Sequence, residues 1–289
     1  MVKTVKSPLF NEIPSKLTEK QFNEFFLRHL SCPKKGPKGK ISFFKTFNYI
    51  LYFLYTGCQW KSLPIDKCED GSPEIHYTRV FCKFKDWNKD GSLVNSFESS
   101  VLLLKKNDLL ETSVLHGDGT STVAKKGGDN LGFNGHKHHK GEKTVAITDR
   151  KGNIISPFVT APGNRNEMIL LDESLRHLKR IAKTIDLDLR GIIMSLDSGY
   201  DSIRNRKLIF NRGMIPNIKA KNYKRNSPKR GRKRIYNDEI FQERFRTVET
   251  TFAWEDKFKR LLMRFERKSC NFFGLKMIAY TLINLRHFC

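Results

Sequence analysis

Near residue 110 the hydrophobic pattern of this chain changes its period, and a chain that does so has to build two kinds of structure. From residue 17 to 110 the spacing is helical. "LTEKQFNEFFLRHL" sets Leu17, Phe22, Phe25, Phe26 and Leu30 close to an i, i+3, i+4 repeat, with Thr18 placed as N-cap. A second helix is expected over 41–56. It should end at Gly57 in "TGCQWKSLP", where Trp60 and Leu63 can fold back and Pro64 stops any continuation. "YTRVFCKFKDW" and "GSLVNSFESSVLLLKK" supply two more helices and complete a small all-helical module. After residue 112 the period becomes two, in "SVLHGD", "TVAITDRKGNIISPFVTAPG", "GIIMSLD" and "MIPNIKA". "DRKGN" is a turn inside the second stretch, so the first three strands should form an antiparallel meander. Helical runs follow the third and fourth strands, the first of them capped by Asn166. The expected architecture is α/β: a helical module over 1–110, then over 111–289 a mixed five-stranded sheet flanked by helices.

Charge narrows the possible partners. The 289 residues hold 54 Lys and Arg against 30 Asp and Glu, a formal net charge of +24. Such an excess repels itself in a compact state and is most simply balanced by a polyanion, with nucleic acid the leading candidate. A membrane is the weaker partner, because "FFKTFNYILYFLY" is too short to span one and is interrupted by Lys45, Thr46 and Asn48. The start lacks the apolar core of a secretory signal, so a cytoplasmic, nucleoid-associated protein is expected. Six scattered cysteines form no C-x-x-C pair and read as reduced thiols. "HKHHK" offers His136, His138 and His139 to a nickel or zinc ion. Its setting in "KKGGDNLGFNGHKHHKGEK" favours a solvated basic hairpin loop, from which Lys137 and Lys140 can touch phosphates. The basic run holding Lys219, Lys221, Lys224, Arg225, Lys229, Arg230, Arg232, Lys233 and Arg234 reads as a solvated linker or as a DNA-backbone contact. In the helical module, basic residues alternate with aromatic ones. That suits a helix-turn-helix DNA reader and equally a plain aromatic core.

The carboxylates are more specific. Asp118, in "VLHGDGTSTVA", and Asp197, in "IIMSLDSGYDS", both end strands, and they become neighbours only if the first and fourth strands pair. The long helix "IFQERFRTVETTFAWEDKFKRLLMRFER" adds Glu249. On a continuous helix Arg246, Lys257 and Arg260 fall within about 80° of it, giving one polar face suited to phosphate and metal. Each acid has a plainer role available: Asp118 in a turn, Asp197 and Asp201 as helix caps, Glu249 in a surface ion pair. Asp201 rivals Asp197, which is preferred because it directly follows the apolar strand.

"HGDGT", "GDNLGFNGHKHHKGEKTVAITDRKGNIISPFVTAPGNRNE", "SLDSGYDS" and "FRTVETTFAWEDKFKRLLMRFE" resemble, in this order, the blocks of bacterial insertion-sequence transposases of the DDE class, IS-five branch of the IS-four/IS-five superfamily. "TGCQWKSLP" and "WNKDGSL" resemble that family's N-terminal module, so the likeness spans nearly the whole chain. The resemblance implies an RNase H-like core with Asp118, Asp197 and Glu249 as the metal-binding triad, and basic residues around the third acid that hold the element's end. Related members carry a Tyr, Arg, Glu, Lys spacing there. This chain departs from it, with Gln242 and Phe245 at the Tyr and Arg places; Arg246 and Lys257, each shifted by one position, stand in. The implied chemistry is in-line phosphodiester cleavage and strand transfer with two Mg²⁺ ions, for which Mn²⁺ substitutes. The implied partners are the element's terminal inverted repeats and target DNA, with at least a homodimer on DNA. Two other functions stay open: a catalytically inactive DNA-binding descendant of such an element, and a stand-alone metal-dependent DNA nuclease.

Overall fold

The computed structural model describes residues 12–32, 39–135, 137–220 and 234–289. The chain divides into two compact units, 104–121 with 132–252, and 1–103 with 122–131 and 253–289.

The first of these units is built on a sheet. Its strands are the start of β1 (Val114–Ala124), β2 (Gly132–Asn134), β3 (His139–Thr148), β4 (Ile154–Pro162), β5 (Ile193–Leu196) and β6 (Ile215–Ile218). The strand order is β2-β3-β1-β5-β6, with β4 also paired to β3. β3 and β4 form an antiparallel hairpin running from Glu142↔Pro162 to Thr148↔Ile154. Its turn is the expected "DRKGN": the buried Asp149 carboxylate accepts from the backbone N–H groups of Lys151 (2.9 Å), Asn153 (2.8 Å) and Glu111 (3.0 Å). Burial pushes the Asp149 carboxyl up from its ordinary value, and those donors pull it back down. β5 pairs in parallel with both β1 and β6. Antiparallel strands on one side and parallel ones on the other give the RNase H-like mixed sheet expected from the sequence. β2 was not expected; it pairs with the start of β3 inside the stretch read as a basic loop.

Helices cover this sheet. α5 (Glu167–Thr184) begins at the expected cap, Asn166 accepting from Met168 N–H. It buries Leu171, Leu175, Leu178 and Ala182 at i, i+4, i+7 and i+11, one stripe of an amphipathic helix. α6 (Ile203–Phe210) links β5 to β6. α7 (Asp238–Asp256) buries Phe241, Arg244, Val248 and Thr251 on one face.

In the second unit, α1 (Glu19–Phe25), α2 (Phe43–Thr56), α3 (Tyr77–Lys89) and α4 (Ser92–Lys106, as far as residue 103) are the four expected helices. Thr18 and Gln21 close a capping box on α1. Gly57 ends α2 at φ +72°, the left-handed conformation that a side chain would strain. The sequence boundary at residue 110 does not delimit this unit. α8 (Ser269–Leu285) belongs to it, and every residue from Gly274 to Leu285 is buried. A helix apolar all round has to be enclosed, so it serves as the core of the helical unit rather than a flank of the sheet. Asn88 of α3 donates to Cys270 carbonyl (2.9 Å), and Asn284 donates to Ser100 of α4 (3.1 Å). The end of β1, Val123 and Ala124, pairs with β7 (Met263–Arg264), a second short strand that the sequence pattern did not show.

One buried polar cluster interrupts this core. Lys276, fully buried on α8, donates to Glu255, and the buried Tyr280 hydroxyl donates to the same carboxylate. Burial and the neighbouring carboxylate push the Tyr280 phenol well above its ordinary value. Glu255→Gln should strand an ammonium in an apolar core and cost about 3 kcal/mol or more of stability in urea unfolding. Adding Lys276→Met should return most of that loss; an undiminished loss in the double variant would show that the ion pair is not its cause.

Candidate active site

The site begins with a register. In the parallel pair β1 and β5, Val114 faces Ile193 and Gly117 faces Leu196, so the next residues, Asp118 and Asp197, emerge side by side where this pairing ends. Only β5 stops there, and Asp118, expected at a strand end, lies inside β1, which runs on to Ala124. Neighbouring strands lie about 4.8 Å apart. Gly117 permits this approach: a Cβ there would sit 2.6 Å from Leu196 Cδ2 and 3.0 Å from Met194 Cε. Beyond the pair, Asp197 turns out of the sheet as the cap of a 3₁₀ turn, accepting from Gly199 N–H at 3.2 Å. Asp118 accepts from Gly119 N–H at 2.8 Å.

The two carboxylates converge on one cation. Arg244 of α7 donates from Nη1 to Asp118 Oδ2 at 2.6 Å, and its Nη2 lies 3.6 Å from Asp197 Oδ1. The Arg244 side chain is 1% exposed, while Asp118 and Asp197 are 29% and 42% exposed, so the guanidinium backs a pair of carboxylates that open to solvent. Phe245 and Phe241 hold the guanidinium flat, their ring centroids 4.4 and 5.3 Å from its carbon.

A second contact fixes the same helix against the same strand. His116 precedes Asp118 by two residues and so shares its face of β1. Its Nε2 is 3.2 Å from Glu243 Oε1, and Arg150 grips Glu243 through two bonds of 2.7 Å. Burial lowers the His116 pKa and keeps the ring neutral, against the opposing pull of Glu243. The Arg150 bonds hold Glu243 below the usual carboxylate range. Successive helix residues, Glu243 and Arg244, thus engage alternate strand residues, His116 and Asp118.

Glu249 is placed differently. It lies five residues after Arg244, roughly 140° around α7 and about 7.5 Å along it, and it is exposed. Among the described residues no three His, Cys, Asp or Glu side chains converge on a common metal position. The structure therefore brings Asp118 and Asp197 together and leaves Glu249 apart. Asp201 is occupied elsewhere: its side chain, 6% exposed, receives Arg206 at 2.9 Å and Arg234 at 2.8 Å.

The expected basic face also changes. α7 stops at Asp256, so Lys257 and Arg260 are not on the helix that carries Glu249, and both fall in the helical unit. Arg246 is exposed on α7 and Lys257 is exposed after its end. Arg260 is buried, bonded to Glu266 at 2.6 and 2.9 Å and lying over the Phe53 ring, which leaves it unsuited to a phosphate. Lys137, in the turn between β2 and β3, and Lys140, on β3 opposite Phe133, are exposed. Lys229, Arg230, Arg232 and Lys233 lie outside the described residues, as do Lys221, Lys224, Arg225 and His136.

The residues missed from the sequence are Arg244, Glu243, Arg150 and His116. A signal for Arg244 existed: the buried stripe of α7 runs through Phe241, position 244, Val248 and Thr251, so a cation interrupts an apolar face. A buried cation needs an anion, and two acids expected to follow apolar strand residues were available.

Two hard oxygen donors meeting around one positive group are a fitting start for a divalent cation site, since the guanidinium already shows where positive charge is held. A protein-family model described as Transposase DDE domain matches residues 110–282, which include Asp118, Asp197 and Glu249. No curated protein and no solved structure matches the chain.

Arg244→Met should leave the two carboxylates without their shared cation and destabilise the metal-free protein by about 1–3 kcal/mol. Mg²⁺ should raise the melting temperature of that variant more than it raises that of the wild type. Equal Mg²⁺ shifts in the two proteins would show that Arg244 and the metal do not share the site.

Proposed function

The chain belongs to the transposase DDE-domain family, enzymes that cut and transfer DNA strands, and from that premise we propose that it is the transposase of an IS-five-branch insertion sequence. In this reading it binds the element's terminal inverted repeats, cleaves there and joins the ends to target DNA. The carrying observation is the placement of Asp118 and Asp197 side by side just past the last paired residues of β1 and β5.

Asp118 and Asp197 would hold Mg²⁺ or Mn²⁺, with Glu249 as third ligand. Such ions would supply Lewis acidity for activating a water or a 3′-hydroxyl and for stabilising the departing oxygen. The chain's own groups do the rest. Arg244 holds the two carboxylates together before DNA arrives. Glu243, gripped by Arg150, keeps α7 seated on β1 through His116. Glu249 stands on the exposed face of the same helix. Arg246, Lys257, Lys137 and Lys140, all exposed, are positioned to neutralise phosphates, each worth about one unit of salt slope. The helical unit is assigned the terminal repeat, because phosphate contacts alone carry no sequence information. No helix among the described residues is long and apolar enough to cross a membrane. Joining two ends in concert calls for at least a homodimer on DNA.

Asp118→Asn, Asp197→Asn and Glu249→Gln should each lower nicking of labelled element ends by several orders of magnitude, while gel-shift affinity persists or rises slightly. Asp201→Asn should act instead through stability, because it breaks the contacts with Arg206 and Arg234. Normal cleavage by both aspartate variants would exclude a DDE centre at β1 and β5. Normal cleavage by Glu249→Gln alone would move the third ligand elsewhere.

A further inference from the structure

The helical unit contains a groove of about 680 Å³, lined by the turn after α2, by α3, by residue 126 of the 122–131 segment and by the turn between β7 and α8. Two kinds of side chain line it. Lys61, Lys85, Lys126, Arg267 and Lys268 supply five cations. Glu266 is the only acid among the lining residues, and Arg260 engages it at 2.6 Å. None of the five has a carboxylate partner among the described residues. Five unpaired like charges around one concavity repel one another, an arrangement that an anion relieves.

The rest of the lining is aromatic. Trp60 is stacked on Phe53, ring centroids 3.7 Å apart, and is tilted against Phe81 at 5.2 Å. Phe265 is 38% exposed, with the Arg260 guanidinium 5.1 Å from its ring centroid. The far wall is built rather than loose: the buried Arg264 side chain donates to the carbonyls of Glu266 and Arg267 and to Asp129, tying the 122–131 segment to the residues that carry Arg267 and Lys268.

Cations alone would suit a duplex, which presents phosphates and hides the faces of its bases. Aromatic rings set among cations suit bases that are exposed, because every base has a face to stack and every nucleotide a phosphate to neutralise. We propose that this groove binds a short unpaired stretch of DNA, its bases against Trp60, Phe81 and Phe265 and its phosphates on Lys61, Lys85, Lys126, Arg267 and Lys268. The inference rests on DNA being the substrate and adds a strand-opened form of it, of the kind that fraying at a cleaved end would supply.

The test uses the full chain and fluorescence anisotropy with a labelled short oligothymidylate and, separately, a blunt duplex of unrelated sequence. Phe265→Ala should weaken oligothymidylate binding at least about five-fold, the lower end of the cost of one lost aromatic–base stack, and leave duplex binding nearly unchanged. Lys85→Ala and Lys268→Ala should each flatten the salt dependence of single-strand binding by about 0.7 in log–log slope. Lys183→Ala, which removes an exposed charge on α5 outside the groove, should do neither. Three results would overturn the proposal: wild-type single-strand affinity in Phe265→Ala, an equal loss on Lys183→Ala, or displacement of the oligothymidylate by polyglutamate at equal charge, which would point to an acidic protein partner. Cleavage of element ends by the wild type is read separately, so a failed transposase assignment is distinguishable from a failed groove.

Discussion

The parallel pairing of β1 with β5 is the constraint on which the candidate site depends. Asp118 and Asp197 are far apart in the chain and share no local structure, and only the register ending at Gly117↔Leu196 makes them neighbours. That pairing creates an electrostatic problem, two carboxylates opening to the same solvent. Arg244 answers it from α7, and the answer also fixes the helix, because Glu243 must then meet His116. Strand register and helix register therefore determine each other. A slip of one residue in β1 would turn Asp118 to the opposite face of the sheet, and a slip of one residue in α7 would carry Arg244 about 100° away from it.

Much of this was legible in the sequence wherever the cause was local. Thr18, Asn166 and Gly57 act on their own helices, and the "DRKGN" turn closes on its own side chain, so each was found where the pattern put it. Asp197 was legible as a strand end, whereas β1 runs on past Asp118 to Ala124; their meeting required the first and fourth strands to pair, as β1 and β5 do. What escaped depends on distant partners. β2 and β7 are too short to show a period and exist because β3 and β1 offer them an edge. Arg244 looked like one basic residue among many, since its burial is decided by β1 and β5. The wheel that grouped Arg246, Lys257 and Arg260 assumed an unbroken helix, but α7 ends at Asp256 and Arg260 turns to Glu266 and Phe53. Apolar residues around all of α8 could have announced a helix needing cover on every side, but not which elements would supply it.

The distribution of charge follows from how the acids are used. Asp201 is held by Arg206 and Arg234, Glu243 by Arg150, Glu255 by Lys276, Glu266 by Arg260, and Asp172 by Arg212. Each such contact takes a cation together with its acid, so the net charge of +24 is unchanged by it and is carried by the remaining residues.

α8 has a consequence for the order in which the protein can be made. The helical unit takes its first four helices from the start of the chain and its core from residues 253–289. The ribosome must add the residues between 103 and 253 before that core exists, which at ordinary elongation rates takes roughly eight to thirty seconds. Through that interval Phe22, Phe26, Phe47 and Trp87 can cluster among themselves, but the surface that will enclose α8 stays uncovered. A nascent chain that stalls in between, or a copy of the gene broken before α8, would carry N-terminal helices that cannot close. Such fragments would expose the apolar surface meant for α8, the state that invites aggregation or clearance.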